Sequence, residues 1–288
     1  MRFVGEFFDM DFVVATRPKI NNKEKKMRQL LSLCLFVMAS LCSAAALADN
    51  QEFAGGLNPD GAINLQAQLC KLNPGKTMAQ YDKMINDYFK WSVKHDAEVT
   101  FVRQIPLFTH SNSDNPWGYD FVEFLVSSHS DSGKAWDKWL TTPDGQKLNA
   151  TWQSLAKCDV KMGSVFFQYA DVEALNNDRD RIVTWDWCTR KEGVSADQLI
   201  AKHDALAEEF SGSLGEIGWA VYYPQVGGAN LPGDYAHITI YPDVEGLMKR
   251  QQWHSEGGWR AVSDYYASYA DCTGNSANIE TIMRVPGD

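Results

Sequence analysis

The sequence lacks the short motifs that mark the best-known enzyme classes. It contains no GxSxG, HExxH, CxxC, Walker or GxGxxG pattern, which excludes the serine-hydrolase elbow, the zincin helix, the P-loop and the dinucleotide-binding turn. Any chemistry that this chain performs must therefore rest on residues that its fold brings together.

Long apolar runs are also missing, with one exception near the N-terminus. A basic cluster at 23–28 precedes an uncharged, mostly apolar run at 30–47, which ends on small residues at Ala48. This pattern predicts a signal peptide cut near Ala48, because the run is too short to span a bilayer comfortably. We expect a periplasmic or secreted protein with no membrane segment after cleavage. Residues 1–26 then form a long n-region or an over-extended start.

Positive charge is scarce in the rest of the chain. Without residues 1–48, 20 Lys and Arg stand against 33 Asp and Glu, a net charge of −13. Such an acidic surface disfavours nucleic acids and anionic membranes as partners. A small molecule is the expected partner, and the oligomeric state stays open.

Cysteine is rare, and two of the six, Cys34 and Cys42, lie in the predicted signal peptide. Leu41 precedes Cys42 where a lipid-attachment site needs a small residue, so we expect no lipid anchor. The remaining four are an even number in an exported chain, which indicates disulfides. Four cysteines allow three pairings, and their spacing alone does not select one.

An internal repeat provides a register for the chain. A shift of 118 residues places Cys70 on Cys188 and lays a Thr-x-x-Gln pattern at Thr77 on a Ser-x-x-Gln pattern at Ser195. A shift of 114 places Cys158 on Cys272 and aligns the residues from Asp120 onwards. The two patterns are capping boxes that start a helix in each copy.

Apolar periodicity predicts the order βαββαβ in each copy, which is the ferredoxin-like arrangement. We predict an α+β fold made of a tandem duplication and packed as a pseudo-twofold α+β barrel. The predicted parts are an N-terminal linker at 49–61, a first unit at 62–172, a linker at 173–180 and a second unit at 181–288. The expected elements are strands at 63–69, 99–105, 120–126, 165–169, 182–187, 217–223, 234–241 and 279–285, and helical regions at 77–91, 134–158, 195–210 and 244–272.

The predicted topology selects one disulfide pairing. In a ferredoxin-like sheet the last strand lies antiparallel beside the first, so the end of the second helix approaches the end of the first strand. Cys70 and Cys188 end first strands, while Cys158 and Cys272 end second helices. We therefore expect Cys70 to pair with Cys158 and Cys188 to pair with Cys272.

This element order and duplication, over about 62–285, resemble the dimeric α+β barrel superfamily. Its members include cofactor-independent monooxygenases, haem-degrading enzymes, muconolactone isomerases and relatives of haem peroxidases. The resemblance implies a barrel fold, but it selects no activity and leaves the cofactor unknown.

Strand parity indicates where polar groups meet. In the strand at 234–241, Ala236, Ile238 and Ile240 form an apolar face, which we expect to pack under the helices. The opposite face carries Tyr235 and His237 in one copy and Glu123 in the other. We expect these faces to turn towards each other inside the barrel, with His237 and Glu123 as a catalytic acid–base pair.

Five further residues are candidates for a ligand site. Trp219, Trp185 and Tyr235 have no equivalent aromatic–polar arrangement in the other copy, and Asp186 and Arg103 add charge on neighbouring strands. The leading hypothesis is a cavity that binds a small, partly aromatic molecule, with oxidative or isomerising chemistry. The alternative is a structural or protein-interaction module without catalysis, and the sequence does not decide between them. No metal ligand set is expected.

Overall fold

The computed structural model describes residues 52–108 and 118–288. The signal-peptide prediction, including Ala48, Cys34 and Cys42, lies outside these residues. No helix within the described ranges is long and apolar enough to cross a membrane.

The strands are β1 Ile63–Leu72, β2 Thr100–Phe108, β3 Phe121–Ser127, β4 Ala156–Ala170, β5 Asp180–Arg190, β6 Gly218–Val226, β7 Tyr235–Tyr241, β8 Ala270–Cys272 and β9 Ser276–Arg284. The helices are α1 Met78–Lys94, α2 His129–Thr141, α3 Pro143–Leu155, α4 Val172–Asn177, α5 Ala196–Phe210, α6 Val244–Trp253 and α7 Trp259–Ser268, with a π-helical turn at His254–Gly258 between the last two.

Eight strands close into an antiparallel barrel. Their order around the barrel is β7-β6-β4-β1-β3-β2-β9-β5, and β5 pairs with β7 to complete the ring. The short strand β8 adds to β5 outside the ring. Closure leaves these eight strands without a free edge. The predicted α+β barrel is thus confirmed as the architecture.

The strands of the two halves follow the same order. The first half runs β4-β1-β3-β2 and the second β9-β5-β7-β6, and the halves join at β4–β6 and at β2–β9. Gln68 lies opposite Glu123 in the first half, and Asp186 lies opposite His237 in the second. Equivalent positions of the two sheets therefore carry different side chains.

Both capping boxes are present. The side chain of Thr77 accepts from the Gln80 backbone N–H, and the Gln80 side chain accepts from the Thr77 backbone N–H. Ser195 and Gln198 make the same reciprocal pair at the start of α5. These bonds satisfy N–H groups that the first turn of a helix leaves without an internal partner.

Both predicted disulfides are confirmed. Cys70 is bonded to Cys158, and Cys188 is bonded to Cys272. The expected position of the second partner in each pair is wrong in detail. Cys158 lies within β4, which begins at Ala156 rather than at 165, and Cys272 lies in β8. Each disulfide therefore joins two directly paired strand residues.

The expected facing of the strands is also wrong. The barrel interior holds Ala236, Ile238 and Ile240 together with Val122 and Phe124. The opposite faces, which include Tyr235 and Glu123, lie under the helices. In a closed barrel covered by helices both faces of each strand are buried, so an apolar alternation fixes the parity but not which face points inwards.

The predicted N-terminal linker includes a packed segment. The ring of Phe53 lies 4.8 Å from that of Phe167, and Ala54 donates its N–H to the Asn176 side chain. Helix α4 occupies most of the predicted linker at 173–180, and its Val172 and Leu175 are buried. The segments assigned as linkers thus contribute to one end of the barrel.

Candidate ligand-binding site

The residues predicted to form one site lie in three places. Glu123 and Arg103 lie under the helices of the first half, Trp185 lies inside the barrel, and His237, Asp186, Trp219 and Tyr235 lie under the helices of the second half. Strands β3 and β7 are opposite each other in the eight-stranded ring, and both Glu123 and His237 point away from its interior. The structure therefore does not bring the predicted acid–base pair together.

Glu123 belongs to a closed hydrogen-bond network in the first half. Its carboxylate is fully buried and accepts from Arg103 Nη2 at 2.8 Å and from the Tyr81 hydroxyl at 2.7 Å. Trp152 donates to Tyr81, and Arg103 also donates to Asp82. Every carboxylate oxygen of Glu123 has a partner, which is the arrangement that a buried ion pair needs to be tolerated. The polar groups of this network pair with one another, which is what a network that stabilises the fold requires.

A cavity of about 300 Å³ lies between the sheet and the helices of the second half. Its size falls within the range of small-molecule pockets, which are mostly apolar with a few polar groups. Strands β5, β6 and β7 form its floor, and α5, α6 and α7 form the remaining walls. The lining includes Asp186, Trp219, His237, Arg250, Tyr265 and Tyr266.

Tyr265 is the centre of a hydrogen-bond network at the floor of this cavity. Its hydroxyl lies 2.6 Å from the Tyr235 hydroxyl, 2.8 Å from His203 Nε2 and 3.1 Å from His237 Nε2. The Trp219 indole donates to His237 Nδ1 at 3.2 Å. Because an indole N–H is only a donor, the neutral His237 ring carries its proton on Nε2 and donates it to Tyr265.

Burial keeps both histidines of this network neutral. Desolvation lowers the pKa of His203 to about 4, and it lowers the pKa of His237 well below 6.5. Burial also raises the pKa of Tyr235 to about 12. Both ring nitrogens of His237 are already engaged, so its predicted role as a free catalytic base has no geometric support and stays a prediction.

Asp186 is the carboxylate at the cavity floor. It is 5 % exposed, and it accepts from the Tyr266 hydroxyl at 2.8 Å and from the Gly274 backbone N–H at 2.9 Å. Burial raises the pKa of Asp186, although both hydrogen bonds act in the opposite direction. Cys188 and Cys272 lie beside it, but their sulfurs are joined in a disulfide and cannot act as thiolate ligands for a metal ion.

Arg250 places a positive charge on the helical wall of the cavity. Its guanidinium lies over the Trp253 ring at 4.2 Å, and it forms no salt bridge with any residue in the described ranges. Burial lowers the pKa of Arg250, and the charge of Glu216 acts on that pKa in the opposite direction. The cavity's second carboxylate, Glu216, is already held by the backbone N–H groups of Gly212 and Leu214.

Sequence reasoning identified Asp186, His237 and Trp219 but missed Arg250, Tyr265 and Tyr266. The signal was present in the 114-residue shift, which lays Trp152 on Tyr266 and Thr151 on Tyr265. The first half thus has the indole of Trp152 where the second half has the phenol of Tyr266, so the two halves differ at this position. Arg250 had no comparable signal, because an arginine on a helix is ordinarily solvated.

No protein-family model and no curated protein sequence matches this chain. Solved structures do match. An anthrone oxidase-like protein matches with 11 % identity, over 80 % of this chain and 95 % of that one, at a TM-score of 0.47. A haem-binding protein from Thermus thermophilus matches with 8 % identity, over 77 % and 94 %, at 0.45. A variant of chlorite dismutase from Candidatus Nitrospira defluvii matches with 6 % identity, over 79 % and 92 %, at 0.44.

These similarities concern the fold and not the activity. The strand order of this chain by itself describes a closed barrel of two four-stranded halves. The barrel that the predicted resemblance implies is therefore confirmed by the strand order.

Proposed function

We propose that the cavity of the second half binds a small aromatic acid that also carries a hydrogen-bond donor. The observation that carries this proposal is Arg250, a guanidinium on a wall rich in aromatic rings that makes no salt bridge with any described residue, although the charge of Glu216 acts on it. A guanidinium recognises a carboxylate through paired hydrogen bonds. Asp186, which keeps acceptor capacity beyond Tyr266 and Gly274, suits the donor group of the ligand.

The same residues support an isomerising reaction better than an oxidative one. Isomerisation needs a group beside the ligand that takes up a proton and returns it, and Asp186, held in place by the Tyr266 hydroxyl, can do both in turn. Burial raises the pKa of Asp186 towards neutral pH, which suits a group that exchanges protons. In this proposal the network around Tyr265 orients the cavity floor rather than exchanging protons with the ligand.

We assign no haem to this cavity. An axial ligand needs a free imidazole nitrogen, and both nitrogens of His237 are engaged. His254 also lines the cavity, but it is exposed and lies in the π-helical turn at the rim. The volume of about 300 Å³ is at the lower end of the range for small-molecule pockets, which suits a single substituted ring better than a macrocycle.

We further propose that the protein acts outside the cytoplasm and that its halves are tandem copies of one unit. The two disulfides support the first statement, because such bonds persist in oxidising compartments. The shared strand order and register support the second. The ligand site then lies where the copies differ, with His237 and Asp186 in place of Glu123 and Gln68.

Two arginines provide a matched test of the ligand proposal. Arg250 lies over Trp253 inside the cavity, while Arg260 lies over Trp259 at 4.4 Å and does not line it. We expect Arg250→Met to weaken binding of 4-hydroxybenzoate by about ten- to a hundredfold, the range of a charge-assisted hydrogen bond, and Arg260→Met to leave it unchanged. Isothermal titration calorimetry measures both, with phenol as a probe that lacks the carboxylate.

The outcomes separate the alternatives. Loss of 4-hydroxybenzoate binding in Arg250→Met but not in Arg260→Met supports the assigned role of the guanidinium. Equal affinities for the two arginine variants, or no binding to the wild-type protein, contradict it. Native mass spectrometry of the purified protein then identifies any ligand that is retained from the cell.

A further inference from the structure

A second cavity lies inside the barrel, apart from the site under the helices. It has a volume of about 120 Å³. Its walls are the side chains of Trp185, Trp187, Tyr222 and Phe124, with Ala67 on β1 and the amide of Asn278 on β9. For comparison, an engineered apolar cavity of roughly 150 Å³ is large enough to bind benzene. The space here is smaller than that cavity, so one small ring is the upper limit of what it can hold.

The aromatic side chains of this cavity are held in fixed positions. The rings of Phe124 and Trp185 are stacked with centroids 5.3 Å apart, and Trp185 stacks on Trp187 at 6.2 Å. The Tyr222 ring meets both indoles edge-on at 6.0 Å. Trp185 is further fixed by donating its indole N–H to Gln104, whose amide in turn donates to Glu280. The ring faces thus form a rigid, preorganised box.

The hydroxyl of Tyr222 is a buried polar group in the wall of this cavity that lacks a hydrogen-bond partner among the described residues. The residue is 2 % exposed. Burial raises its pKa to about 12, so the group stays a neutral donor. Buried hydroxyl groups in folded proteins almost always have a partner, and leaving one unpaired costs roughly 1–3 kcal/mol.

The Tyr222 ring packs directly against Gly163 of β4. A Cβ added at Gly163 would lie 2.5 Å from Cε2 of the ring and even closer to the Tyr223 carbonyl oxygen. The glycine therefore lets the ring lie directly against β4, and both indoles contact the same ring edge-on. A molecule bound in the cavity can supply the hydrogen-bond acceptor that this hydroxyl lacks.

We propose that this cavity is a second ligand site, which takes a small, neutral, single-ring aromatic molecule with a hydrogen-bond acceptor. The indole and phenyl faces bind the ring by offset and edge contacts. The Tyr222 hydroxyl donates to the acceptor, and the Asn278 amide is a further polar group within the cavity. Lys161 also lines the cavity, and its ammonium donates to the Gly227 backbone carbonyl, so this site offers no guanidinium fork for a carboxylate.

The test compares two probes that differ only in the acceptor. ¹⁹F NMR titration follows 4-fluorophenol, which carries a hydroxyl, and fluorobenzene, which does not. We expect saturable binding of 4-fluorophenol to the full-length mature protein. Tyr222→Phe should weaken this binding by about three- to tenfold, the worth of one hydrogen bond, and leave fluorobenzene binding unchanged.

Two variants locate the bound probe. Ala67→Leu adds volume inside the barrel cavity and should weaken 4-fluorophenol binding by at least about tenfold, as expected for a filled cavity. Thr239→Leu fills the cavity under the helices and should leave binding unchanged. If Ala67→Leu does not fold, the comparison of the two probes in Tyr222→Phe decides alone, because that change adds no volume.

The thermal stability of the ligand-free protein provides a separate readout. Tyr222→Phe removes a buried, unpaired hydroxyl, so it should raise the melting temperature while it weakens 4-fluorophenol binding. No saturable binding by the wild-type protein, an equal loss of both probes in Tyr222→Phe, or loss of binding in Thr239→Leu overturns the proposal. Absence of binding shows that water alone fills the cavity, and it leaves the Arg250 site untouched.

Discussion

At the scale of residues, corresponding positions on β3 and β7 carry different side chains in different surroundings. Glu123 and His237 both point outwards under helices, at equivalent places in their halves. Glu123 meets Arg103 and Tyr81, which use up its hydrogen-bonding capacity. His237 meets Trp219 and Tyr265 at the edge of a cavity. Glu123 is therefore enclosed by its partners, whereas His237 borders a cavity.

His203 should make stability depend on pH. Its folded-state pKa is about 4, below the ordinary 6.5, because it is buried beside Tyr265, Tyr235 and His237. The unfolded chain therefore binds a proton that the folded protein does not, and the free energy of unfolding falls as pH drops from 6.5 towards 4. The loss is roughly 3 kcal/mol at most from this residue.

Urea unfolding at several pH values between 7 and 4 measures this effect. His203→Gln, which cannot titrate, should show a shallower decline, with the remainder due in part to His237. The exposed His254→Gln is the control and should follow the wild-type curve. An unchanged slope in His203→Gln contradicts the assignment.

At the scale of elements, local sequence signals located the helix starts well and the strand ends poorly. The capping boxes at Thr77 and Ser195 place α1 and α5 to the residue. Strand β4 begins nine residues before its expected start, because Ala156 to Ser164 pair with β1. A strand that gains its partners from a distant segment carries no local mark of its full length.

The capping boxes should stabilise their helices measurably. We expect Thr77→Ala to lower the free energy of unfolding by about 1 kcal/mol, because the Gln80 N–H loses its acceptor. Thr151→Ala, on the exposed surface of α3, is the control, and there the higher helix propensity of alanine makes the change neutral or stabilising. Equal destabilisation by both changes, measured by chemical denaturation, contradicts the role of the cap.

At the scale of the whole molecule, each half depends on the other for closure. The second strand of each half pairs with the last strand of the other, at β2–β9 and at β4–β6. Both junctions are of the same kind, and the apolar core that they enclose contains residues from both halves. A single half has two free edges and an exposed apolar face, which favours self-association.

The first half expressed alone, residues 62–172, should therefore form a dimer. In such a dimer β4 of one copy takes the place of β9 beside β2 of the other, in keeping with the proposed duplication. Size-exclusion chromatography with light scattering measures the mass, and residues 181–288 serve as the parallel case. A stable folded monomer of either half contradicts both the closure argument and the duplication.

The sequence by itself determined the order of the barrel strands, two helix caps and, through topology, the disulfide partners. Each of these depends on local pattern or on a pairing that the ferredoxin-like order dictates. It also marked Asp186, Trp219 and His237, which do line one cavity.

Only the tertiary structure decided which face of each strand lies inside the barrel. Both faces are buried, one by the opposite strands and one by helices, so the alternation of apolar residues is compatible with either direction. That choice separated Glu123 from His237, placed Trp185 beside Tyr222, and brought Arg250 from α6 to the cavity that Asp186 shares. Contacts between segments distant in the chain leave no periodic trace in it, which is why both proposed ligand sites emerge from the fold.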